Sequence, residues 1–495
     1  MKIAFIEPSI AVIEPLGIGY IAQCLIERGH KVKYFEAPRK NFFKRLKKFN
    51  PDVLAYSITT GKHKICRKIN QILRKSKSIN AISLFGGPHC TFFPNFIESS
   101  EFIDGVCIGE GELAFVELLD KIEKKQNYKN VKNWWLRINN KIYKNPIRNR
   151  IEDLDSLPFP NREIIYEENR SLRDSSIKWI IASRGCMFQC SYCFNKKYNE
   201  LYEGKGKIYR QRSARGIVDE VLEIKKKYNV AFFRFVDDIF ALNSEFRKEF
   251  SRLWKKKVNI DFICNQRPNV VTEEGIKDLK KAGCVAVTVA IESGNDFIRN
   301  KILNRKMSSN VINNAIKIIK REGLRIWTQN IICNPEETFE MVMDTYEINK
   351  KNKVDFAECF ILTPYPGTEI YDYCVKKGYF RKSIESIQRS YWLDSQLHFE
   401  NEKEKRRLVN FHKFFSFAVR YPVMLPLVKV LIKLPPNKFF IFFNKFHDFW
   451  RISRVFRVKF NIKGLVSTIR NSIKSISGYF VGTYNTSKLK REIIS

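Results

Sequence analysis

The feature that most constrains this chain is an alternation of short apolar strands and helix-like segments, which occurs twice along the sequence. Within residues 1–130 we predict strands at Lys2–Ile6, Lys31–Phe35, Pro51–Ser57, Ala81–Phe85 and Phe102–Ile108. Strands separated by helical segments of roughly 10–20 residues are typical of parallel βαβ units. The first part of the chain is therefore predicted to form an open, doubly wound, Rossmann-like sheet.

The alternation resumes after a proline-bearing connector at residues 131–175. We predict six further strands, at Trp179–Ala182, Phe232–Val236, Asp261–Asn265, Ala286–Ile291, Arg325–Ile332 and Glu358–Thr363. Six strand–helix units indicate a partial (βα)6 barrel of the TIM type over 176–385, with its chemistry at the carboxyl ends of the strands. The fold class is thus α/β, with a basic helical region over 386–495.

Composition narrows the class of protein. The 495 residues include 89 Lys and Arg against 52 Asp and Glu, a net charge of +37, and 44% of the residues are hydrophobic. These values exclude a disordered or low-complexity protein. The first residues contain no apolar run of the signal-peptide kind, and no stretch of 18 apolar residues predicts a membrane-spanning helix. We therefore expect a cytoplasmic protein whose 12 cysteines are mostly buried and reduced.

Three of the cysteines lie within eight residues, at Cys186, Cys190 and Cys193, directly after an apolar strand. A structural zinc site needs four protein ligands, usually from paired C-x2-C motifs, and no second pair lies nearby in the sequence. A 4Fe–4S cluster held by three thiolates leaves one iron open to a small molecule. The spacing favours the cluster over zinc, and over three cysteines that are merely buried.

This loop resembles the radical S-adenosylmethionine (SAM) superfamily, whose hallmark is C-x3-C-x-aromatic-C, with Tyr192 here in the aromatic position. The resemblance implies that Cys186, Cys190 and Cys193 hold a 4Fe–4S cluster whose open iron chelates SAM. It also implies that the reduced cluster cleaves SAM to a 5′-deoxyadenosyl radical.

Later segments extend the resemblance. Phe235-Val236-Asp237-Asp238 is similar to the second-strand motif of the family, and Ala290-Ile291-Glu292-Ser293-Gly294 is similar to its fourth-strand motif. The SAM contacts that the resemblance implies are Tyr192, Asp237, Asp238, Glu292 and Ser293. Arg267, after the third strand, is a further candidate for contact with an anion.

The N-terminal pattern is similar to the cobalamin-binding domain that precedes the barrel in one class of these enzymes. The resemblance implies cobalamin contacts from Pro15, Leu16, Gly17, Ser57, Gly86, Gly87, Pro88, His89, Gly109 and Glu110. The Asp-x-His-x-x-Gly motif that supplies an axial ligand is absent, so we expect no histidine below the cobalt. His89 is expected to touch the corrin edge or to be a loop histidine. A degenerate domain that binds no ligand is the alternative.

The C-terminal region is unusually basic and aromatic. Residues 401–495 contain 20 Lys and Arg against 4 Asp and Glu, and 14 Phe, Tyr and Trp fall between Phe411 and Phe460. Basic helices with aromatic faces lie in the membrane interface and bind anionic lipid. We expect short helical segments at Phe414–Tyr421, Val423–Leu434, Phe439–Trp450 and Val455–Phe460. A helical cap packed on the barrel would bury the same aromatic residues, and nucleic-acid binding is a third interpretation.

Together these resemblances imply an enzyme that methylates an unactivated carbon of a small-molecule or lipid-linked substrate. A reductant protein of the flavodoxin or ferredoxin type is the expected partner, with contact between residues 401–495 and the inner face of the membrane. A cobalamin-using radical cyclase or rearrangement enzyme is the alternative within the same class. An RNA-binding or RNA-modifying protein with a structural cluster is the alternative from a different class, although we do not expect nucleic acid as a partner.

Overall fold

The computed structural model describes residues 1–381, 387, 392–455 and 486–494, and the chain divides into two compact units. The first unit comprises Met1–Ser175, Leu201–Lys207 and Lys463–Ser495, and the second comprises Ser176–Glu200 and Ile208–Ile462. The predicted segment Val455–Phe460, beyond its first residue, and the predicted barrel end at residue 385 lie outside the described residues. We call the second unit the barrel unit.

The first unit is built on a seven-stranded sheet with the order β2-β1-β3-β4-β5-β6-β7. Its strands are β1 Lys2–Glu7, β2 Lys31–Glu36, β3 Val53–Ser57, β4 Ile82–Gly86, β5 Gly105–Cys107, β6 Trp134–Ile138 and β7 Lys141–Lys144. The first five strands are parallel, and β1 lies between β2 and β3. The winding direction therefore reverses at β1, which opens a crevice at the carboxyl ends of β1 and β3. This arrangement confirms the predicted doubly wound sheet.

The helices of the first unit bury one apolar face each. They are α1 Leu16–Glu27, α2 Phe42–Phe49, α3 His63–Lys75, α4 Pro88–Phe92, α5 Glu112–Glu123, α6 Glu163–Glu168 and α7 Arg170–Arg173, with another at Thr486–Ile494. In α2 the side chains of Phe42, Phe43 and Leu46 are buried, whereas Lys44 and Lys47 are exposed. The 3–4-residue spacing of its apolar residues produces this division.

Strands β6 and β7 were not predicted, because we interpreted residues 131–175 as a connector. They extend the sheet as antiparallel strands, with β6 paired to β5. The turn between them is Asn139-Asn140, and both residues have positive φ, at 49° and 60°. Two residues of this kind between alternating buried and exposed positions are the signal of a two-residue hairpin. The sequence therefore contained the information for this hairpin.

The barrel unit contains six parallel strands in sequential order, β15-β14-β13-β12-β11-β8. They are β8 Ile177–Ile180, β11 Phe232–Phe235, β12 Phe262–Gln266, β13 Cys284–Glu292, β14 Arg325–Ile332 and β15 Phe356–Ile361. A separate short ribbon pairs β9 Ser183–Arg184 with β10 Arg210–Gln211. Within the described residues β8 and β15 are the two edges of the sheet, which confirms the predicted partial barrel.

Helices alternate with these strands, and hydroxyl-bearing residues cap several of them. The helices are α8 Phe194–Leu201, α9 Ala214–Lys227, α10 Ser244–Leu253, α11 Glu273–Ala282, α12 Ser309–Arg321, α13 Phe339–Lys351 and α14 Glu369–Lys376. Ser213, Thr272 and Ser308 each accept a hydrogen bond from the backbone N–H three residues later. Each cap satisfies one of the free N–H groups of the first helical turn and so fixes where the helix begins.

Three helices follow the barrel: α15 Glu402–Arg420, α16 Leu425–Leu431 and α17 Lys438–Val455. The side chains of Phe411, Phe414 and Phe415 in α15 are buried in the core of the barrel unit, and the Phe411 ring lies 5.3 Å from that of Phe339 in α13. For α15, therefore, the helical cap was the correct interpretation of the aromatic sequence. Among the described residues, no helix combines the length and apolar composition needed to cross a membrane.

Candidate active site

The three cysteines predicted as cluster ligands lie on one loop of the barrel unit, directly after β9. Gly185 opens this loop with a φ of +90°, and a Cβ atom there would overlap the carbonyl oxygen of Ile208. Only glycine fits such a position. Cys190 is buried, whereas Cys186 and Cys193 keep partial exposure to solvent.

Two arginines contact the buried thiol. Arg267, after β12, donates from Nη1 to Cys190 Sγ at 3.2 Å, and Arg305 donates from Nη1 to the same sulfur at 3.5 Å. The guanidinium carbon of Arg267 also lies 3.9 Å from the ring centre of Phe188. Hydrogen bonds from a cation are strongest to a charged acceptor, so this pair suits a sulfur that carries negative charge. The sequence indicated Arg267 as an anion contact, but it did not indicate Arg305.

Tyr192 connects the cysteine loop to the end of β13. Its hydroxyl donates to Glu292 Oε1 at 2.7 Å and accepts from Arg305 Nη1 at 3.2 Å. Glu292 has a φ of +68°, and the pairing of β13 with β14 shifts register between Ala290 and Glu292. A non-glycine residue in the left-handed region is held there by its surroundings. The irregularity directs the Glu292 side chain toward the loop instead of along the strand.

The charges in this chain of contacts support one another. Burial raises the pKa of Glu292, and the Arg305 guanidinium opposes that effect. Burial alone would lower the pKa of Arg305, but Tyr192 and Glu292 together raise it above its ordinary value. Arg305 is therefore a permanent cation beside both Cys190 and Tyr192. No motif could have indicated it, because it lies in an irregular segment after Leu303 and reaches the site only through the fold.

The neighbouring residues Asp237 and Asp238 take different roles. Oδ1 of Asp237 accepts hydrogen bonds from the Ala182 backbone N–H at 3.0 Å and from the Ser183 hydroxyl at 2.5 Å. Burial raises the pKa of Asp237 to about 7. Its Oδ2 atom is buried and has no hydrogen-bond partner in the described part of the chain. Asp237 therefore connects the end of β11 to the segment that leads into the cysteine loop.

Asp238 instead faces the cysteine loop. It keeps solvent-exposed surface, yet the surrounding protein raises the pKa of its carboxyl, and Asn195 donates a hydrogen bond to it. Asn195 also donates from its backbone N–H and its side chain to Cys193 Sγ, both at 3.5 Å. Asp238 is thus one hydrogen-bonded residue away from a predicted cluster ligand.

Ser293 is buried and directed away from the loop. Its hydroxyl lies 3.4 Å from that of Thr345, and its carbonyl accepts from Arg299 Nη1 at 2.9 Å. The next residue must be glycine, because a Cβ atom at Gly294 would overlap the carbonyl oxygen of Asp344. The structure thus places Ser293 in the turn that closes β13 onto α13.

The donor set of the loop fits a 4Fe–4S cluster. Three thiols on one short loop are soft ligands, and two arginine cations face one of them. In the chain as far as the structure describes it, no group of three or more Cys, His, Asp or Glu side chains is arranged to hold a single metal ion. Burial raises the pKa of Cys193 to about 12 and that of Cys186 above its ordinary value. Both groups are therefore protonated until a bound metal displaces the protons.

In the first unit, the predicted cobalamin contacts lie on loops at the carboxyl ends of the parallel strands. The loop after β1 passes through Pro15 into α1, where Leu16 is buried and Gly17 is exposed. A Cβ atom at Gly17 would have no neighbour within 4 Å. The other two loops begin at Ser57, which ends β3, and at Gly86, which ends β4. These positions surround the crevice at the reversal of the winding direction.

Gly87 is held tightly between the ends of β3 and β4. Its φ is +88°, and a Cβ atom would lie 2.8 Å from the backbone nitrogen of Ile58 and 2.9 Å from its oxygen. The next residue, Pro88, is exposed and begins α4. Glycine is required at this position because the main chain after β3 packs directly against it, and this packing fixes the turn that leads into α4.

His89 lies inside the first unit, in α4 and not in a loop. Its ring stacks on that of His63 at 4.3 Å, and its Nδ1 shares a hydrogen bond of 3.0 Å with the Thr60 hydroxyl. Burial, with smaller contributions from His63 and Arg67, lowers the pKa of His89 to about 3. The imidazole is therefore neutral at physiological pH.

Gly109 and Glu110 fix the loop after β5. Gly109 has a φ of +77°, and a Cβ atom there would overlap the hydroxyl of Tyr202. That hydroxyl accepts a hydrogen bond from the Glu110 backbone N–H at 3.0 Å, and Glu110 Oε2 accepts from the Ile151 N–H at 2.8 Å. The Glu110 side chain thus ties this loop to the segment that we predicted as a connector.

A further set of polar groups in the barrel unit was not predicted. Glu358 and Phe360 keep accessible surface on one face of β15, while Cys359 and Ile361 on the opposite face are buried. Glu358 Oε2 accepts from the indole N–H of Trp327 at 3.0 Å. Burial raises the pKa of Glu358 to about 7. Alternation along the strand thus places this carboxyl group on the face of the sheet opposite that of Cys359 and Ile361.

A cation of α17 approaches the same region. Lys445 Nζ lies 3.5 Å from the ring centre of Trp392, and the Trp392 ring lies 5.1 Å from that of Phe360. Burial lowers the pKa of Lys445, although Asp448 and Glu358 oppose this effect. No sequence pattern indicated this set, because its members come from strands and helices that are far apart in the chain.

Two protein families match the chain at the positions of these sites. Residues 180–348 match the radical SAM superfamily, and residues 9–119 match the B12 binding domain. The first range contains the cysteine loop, and the second contains every predicted cobalamin contact. The 4Fe–4S cluster, SAM and cobalamin expected from the sequence are thus the cofactors of the two matched families.

Relatives agree with these matches. An uncharacterized methyltransferase of Pyrococcus horikoshii is 29% identical over 375 residues, which cover 73% of this chain and 78% of the relative. The cytidylyl-2-hydroxyethylphosphonate methyltransferase of Streptomyces wedmorensis is 22% identical over 427 residues, covering 74% of this chain and 78% of that protein.

A solved structure shows the same fold. The cobalamin-dependent S-adenosylmethionine radical enzyme OxsB with aqua-cobalamin bound superposes with a TM-score of 0.68 at 14% identity, covering 99% of this chain and 83% of that chain. At that identity the likeness concerns the fold alone. Taken with the two family matches and the cysteine loop, it leads to one assignment. The chain is a radical SAM enzyme with an N-terminal B12-binding domain, and it is similar to cobalamin-dependent radical SAM methyltransferases.

Proposed function

We propose that this enzyme methylates an unactivated carbon of a small-molecule or lipid-linked substrate. The observation that supports this most is the chain of contacts from Cys190 through Arg305 and Tyr192 to Glu292, which joins the cysteine loop to the end of β13. When bound, the cluster and SAM supply a radical that removes hydrogen, and cobalamin supplies a methyl group. An sp³ carbon offers no nucleophile, so such a substrate requires this kind of chemistry.

The residues of the loop hold and tune the cluster in this proposal. Cys186, Cys190 and Cys193 are its ligands, and the guanidinium groups of Arg267 and Arg305 stabilise negative charge on the Cys190 sulfur. Hydrogen bonds to a ligating sulfur raise the reduction potential of an iron–sulfur cluster.

We assign the SAM contacts in two groups. Tyr192, Asp238 and Glu292 face the loop, and their oxygen atoms would accept hydrogen bonds from an ammonium or hydroxyl group. Asp237 and Ser293 are positioning residues, because the first fixes Ser183 and the second fixes the turn after β13.

For cobalamin, we propose that the main chain supplies most of the contacts. Gly17, Gly86 and Gly87 would let the corrin or its tail approach the main chain, while Pro15, Leu16, Ser57 and Pro88 border the same crevice. Buried, neutral His89, together with Gly109 and Glu110, would support the shape of the surrounding loops. We propose that the chain divides functionally into a cobalamin-binding domain at 1–130, a connector at 131–175, a radical SAM barrel at 176–385 and a basic helical region at 386–495.

For the substrate, the unpredicted polar set supports a molecule with a polar group. In the described part of the chain the Lys445 ammonium has a ring contact with Trp392 but no ion pair within 4.0 Å, so it has donors left for an anion. Glu358 would accept from a donor on the same molecule. We propose these two side chains as substrate contacts.

The proposed setting is the cytoplasm, with a flavodoxin- or ferredoxin-type reductant and a membrane surface as partners. All 12 cysteines are free in the structure, which agrees with a reducing compartment.

The test is a quantitative analysis of products after anaerobic reconstitution with iron, sulfide and hydroxocobalamin. The protein is incubated with SAM and a chemical reductant, and 5′-deoxyadenosine and S-adenosylhomocysteine are measured. The proposal predicts both products, the second reaching at least one equivalent per bound cobalamin. Deoxyadenosine alone would favour a cyclase or rearrangement enzyme. Neither product, combined with salt-dependent retention of RNA, would favour a nucleic-acid-binding protein.

A further inference from the structure

Helix α17 buries Phe440 in the core of the barrel unit, but it also exposes several apolar side chains while some of its polar side chains are buried. Asn444, His447 and Asp448 are buried, whereas Phe439 and Phe442 are exposed, as is Phe446 one turn further on. The three phenylalanines are spaced by three and four residues, which places them on one face of the helix. The rings of Phe442 and Phe446 stack with centres 6.4 Å apart. An isolated globular protein would normally place these rings inside and the polar groups outside.

The segment around α16 shows a second exposed apolar face. Four of its side chains follow a spacing of four, three and four residues and are exposed: Val423, Leu427, Val430 and Leu434. Val428 and Ile432, on the other side, are buried in the core of the barrel unit. We define the interfacial surface as these four residues with Phe439, Phe442 and Phe446. Each of the seven side chains has between 45% and 85% of its surface exposed.

The charged residues in the segment that carries this surface have one sign. Arg420, Lys429, Lys433 and Lys438 are exposed beside it. Between Arg420 and His447 the sequence contains no Asp or Glu. The interfacial surface therefore combines seven large apolar side chains with four exposed cations of the same segment, which complements an apolar layer beneath anionic headgroups.

Another basic helix of this protein, α2, buries its apolar side chains instead of exposing them. In α2 the lysines are exposed, but Phe42, Phe43 and Leu46 are packed in the core of the first unit. A basic amphipathic sequence in this protein thus does not by itself leave apolar side chains exposed. The exposure of apolar side chains on α16 and α17 therefore does not follow from their basic sequence alone.

We propose that the interfacial surface binds the protein to an anionic lipid membrane. The phenylalanine, leucine and valine side chains enter the boundary between headgroups and acyl chains, and the four cations contact lipid phosphates. The helices lie in the plane of the membrane, since Pro435 and Pro436 separate them and neither spans it. The inference rests on the membrane partner named in the proposed function and identifies the surface that makes the contact.

The test is flotation of the full-length protein on a density gradient with vesicles. One set contains only phosphatidylcholine, and the other contains equal parts of phosphatidylcholine and phosphatidylglycerol. We expect flotation with the anionic vesicles at low salt, less flotation at high salt, and none with the neutral vesicles. Protein that stays at the bottom of the gradient with both would overturn the proposal.

Variants then locate the contact. Phe439→Ser/Phe442→Ser/Phe446→Ser and Lys429→Glu/Lys433→Glu/Lys438→Glu should each lower the partition coefficient at least about tenfold. The control variant Lys44→Glu/Lys47→Glu/Lys48→Glu in α2 changes the net charge by the same amount as the lysine variant. It should change the partition coefficient less than about twofold. All substituted side chains are exposed, so thermal unfolding should be unchanged.

Three results would count against the surface. Unchanged flotation of the phenylalanine variant would place binding in the basic residues after 455. Equal losses in the α2 control would show that charge alone is responsible. Self-association that depends on the phenylalanines, without flotation, would identify a second copy of the chain as the occupant. Flotation requires no turnover, so a failure to float would leave the proposed methyl transfer unaffected. A failure to form the methyl-transfer products would likewise leave the membrane contact unaffected.

Discussion

The two units use different parts of the polypeptide to prepare their sites. In the barrel unit, side chains from separate elements meet: Arg267 and Arg305 contact the Cys190 sulfur, and Tyr192 contacts Glu292. In the first unit, the crevice is shaped by main chain at glycine turns, above all at Gly87, where a Cβ atom would lie 2.8 Å from a backbone nitrogen. The barrel site should therefore fail when one functional group is removed, and the first unit should fail when one methyl group is added.

The largest expected effect follows from Cys190→Ala. Removing this sulfur leaves two partly exposed thiols and two arginine cations without their anionic partner, so we expect no stable cluster. Iron and sulfide content should fall to background, and 5′-deoxyadenosine should be undetectable. Cys374→Ala removes another buried thiol of the same unit and should retain full iron content. Equal iron content in both variants would show that the loop does not hold the cluster.

Gly87→Ala tests the other half of the comparison. The substitution places a methyl group against the Ile58 backbone at a φ of +88°, which should destabilise the first unit by about 2 kcal/mol or more. The melting temperature and the amount of hydroxocobalamin retained should both decrease.

The matched substitution is Gly17→Ala, where the added Cβ atom meets no neighbour within 4 Å. Stability should stay the same or rise slightly, because alanine favours a helix. Cobalamin retention should nevertheless fall if the corrin approaches this turn. A loss of stability equal to that of Gly87→Ala would contradict the role assigned to the Gly87 backbone.

The two units should also respond to pH with opposite signs. Burial raises the pKa of Asp237 from its ordinary 3.8 to about 7, so the protonated carboxyl stabilises the barrel unit at low pH. That contribution is lost as pH rises through about 7. In the first unit the pKa of His89 is lowered from 6.5 to about 3, so its contribution is present above 6.5 and is lost as pH falls.

Asp237→Asn separates these effects. The amide oxygen can still accept from Ala182 and Ser183, but the group no longer ionises. Between pH 5 and 8 the free energy of unfolding should decline less in the variant than in the wild type. The difference between the two declines should reach on the order of a few kcal/mol at pH 8. Melting temperatures over this range measure the difference, with exposed Asp219→Asn as the control. A decline identical to that of the wild type would contradict the predicted pKa of Asp237.

The smallest effect is expected for Tyr192→Phe. The hydroxyl donates to Glu292 and accepts from Arg305, so its loss weakens the connection without removing a ligand. We expect intact iron content and roughly tenfold slower SAM cleavage, which corresponds to one or two hydrogen bonds. Tyr346→Phe, which removes a buried hydroxyl without a hydrogen-bond partner in the described residues, should have little effect. Equal rates for both variants would remove Tyr192 from the proposed SAM contacts.

Much of the fold could be predicted because its signals are local. Apolar runs and glycine turns indicated parallel strands in both units, and the spacing of Cys186, Cys190 and Cys193 indicated the cluster. The β6–β7 hairpin was also within reach, since Asn139-Asn140 is a two-residue turn. We missed it because the proline-bearing stretch that follows dominated the interpretation of residues 131–175.

The remainder depends on tertiary contacts that a pattern cannot show. Arg305 lies in an irregular segment, and Asp237 and Asp238 diverge because one points back to Ser183 and the other toward the loop. The aromatic C-terminal region is the clearest case. Phe411 and Phe442 occur in similar basic sequences, but one is buried and the other exposed. Only the partners of each helix decide between these outcomes.

The most direct test of the account is an electron paramagnetic resonance spectrum of the anaerobically reconstituted, reduced protein, recorded before and after addition of SAM. We expect a reduced 4Fe–4S signal that changes shape when SAM is added and that is absent from Cys190→Ala. A protein without iron, or a cluster whose spectrum is unaffected by SAM, would contradict the assignment of the three-cysteine loop as an open cluster site.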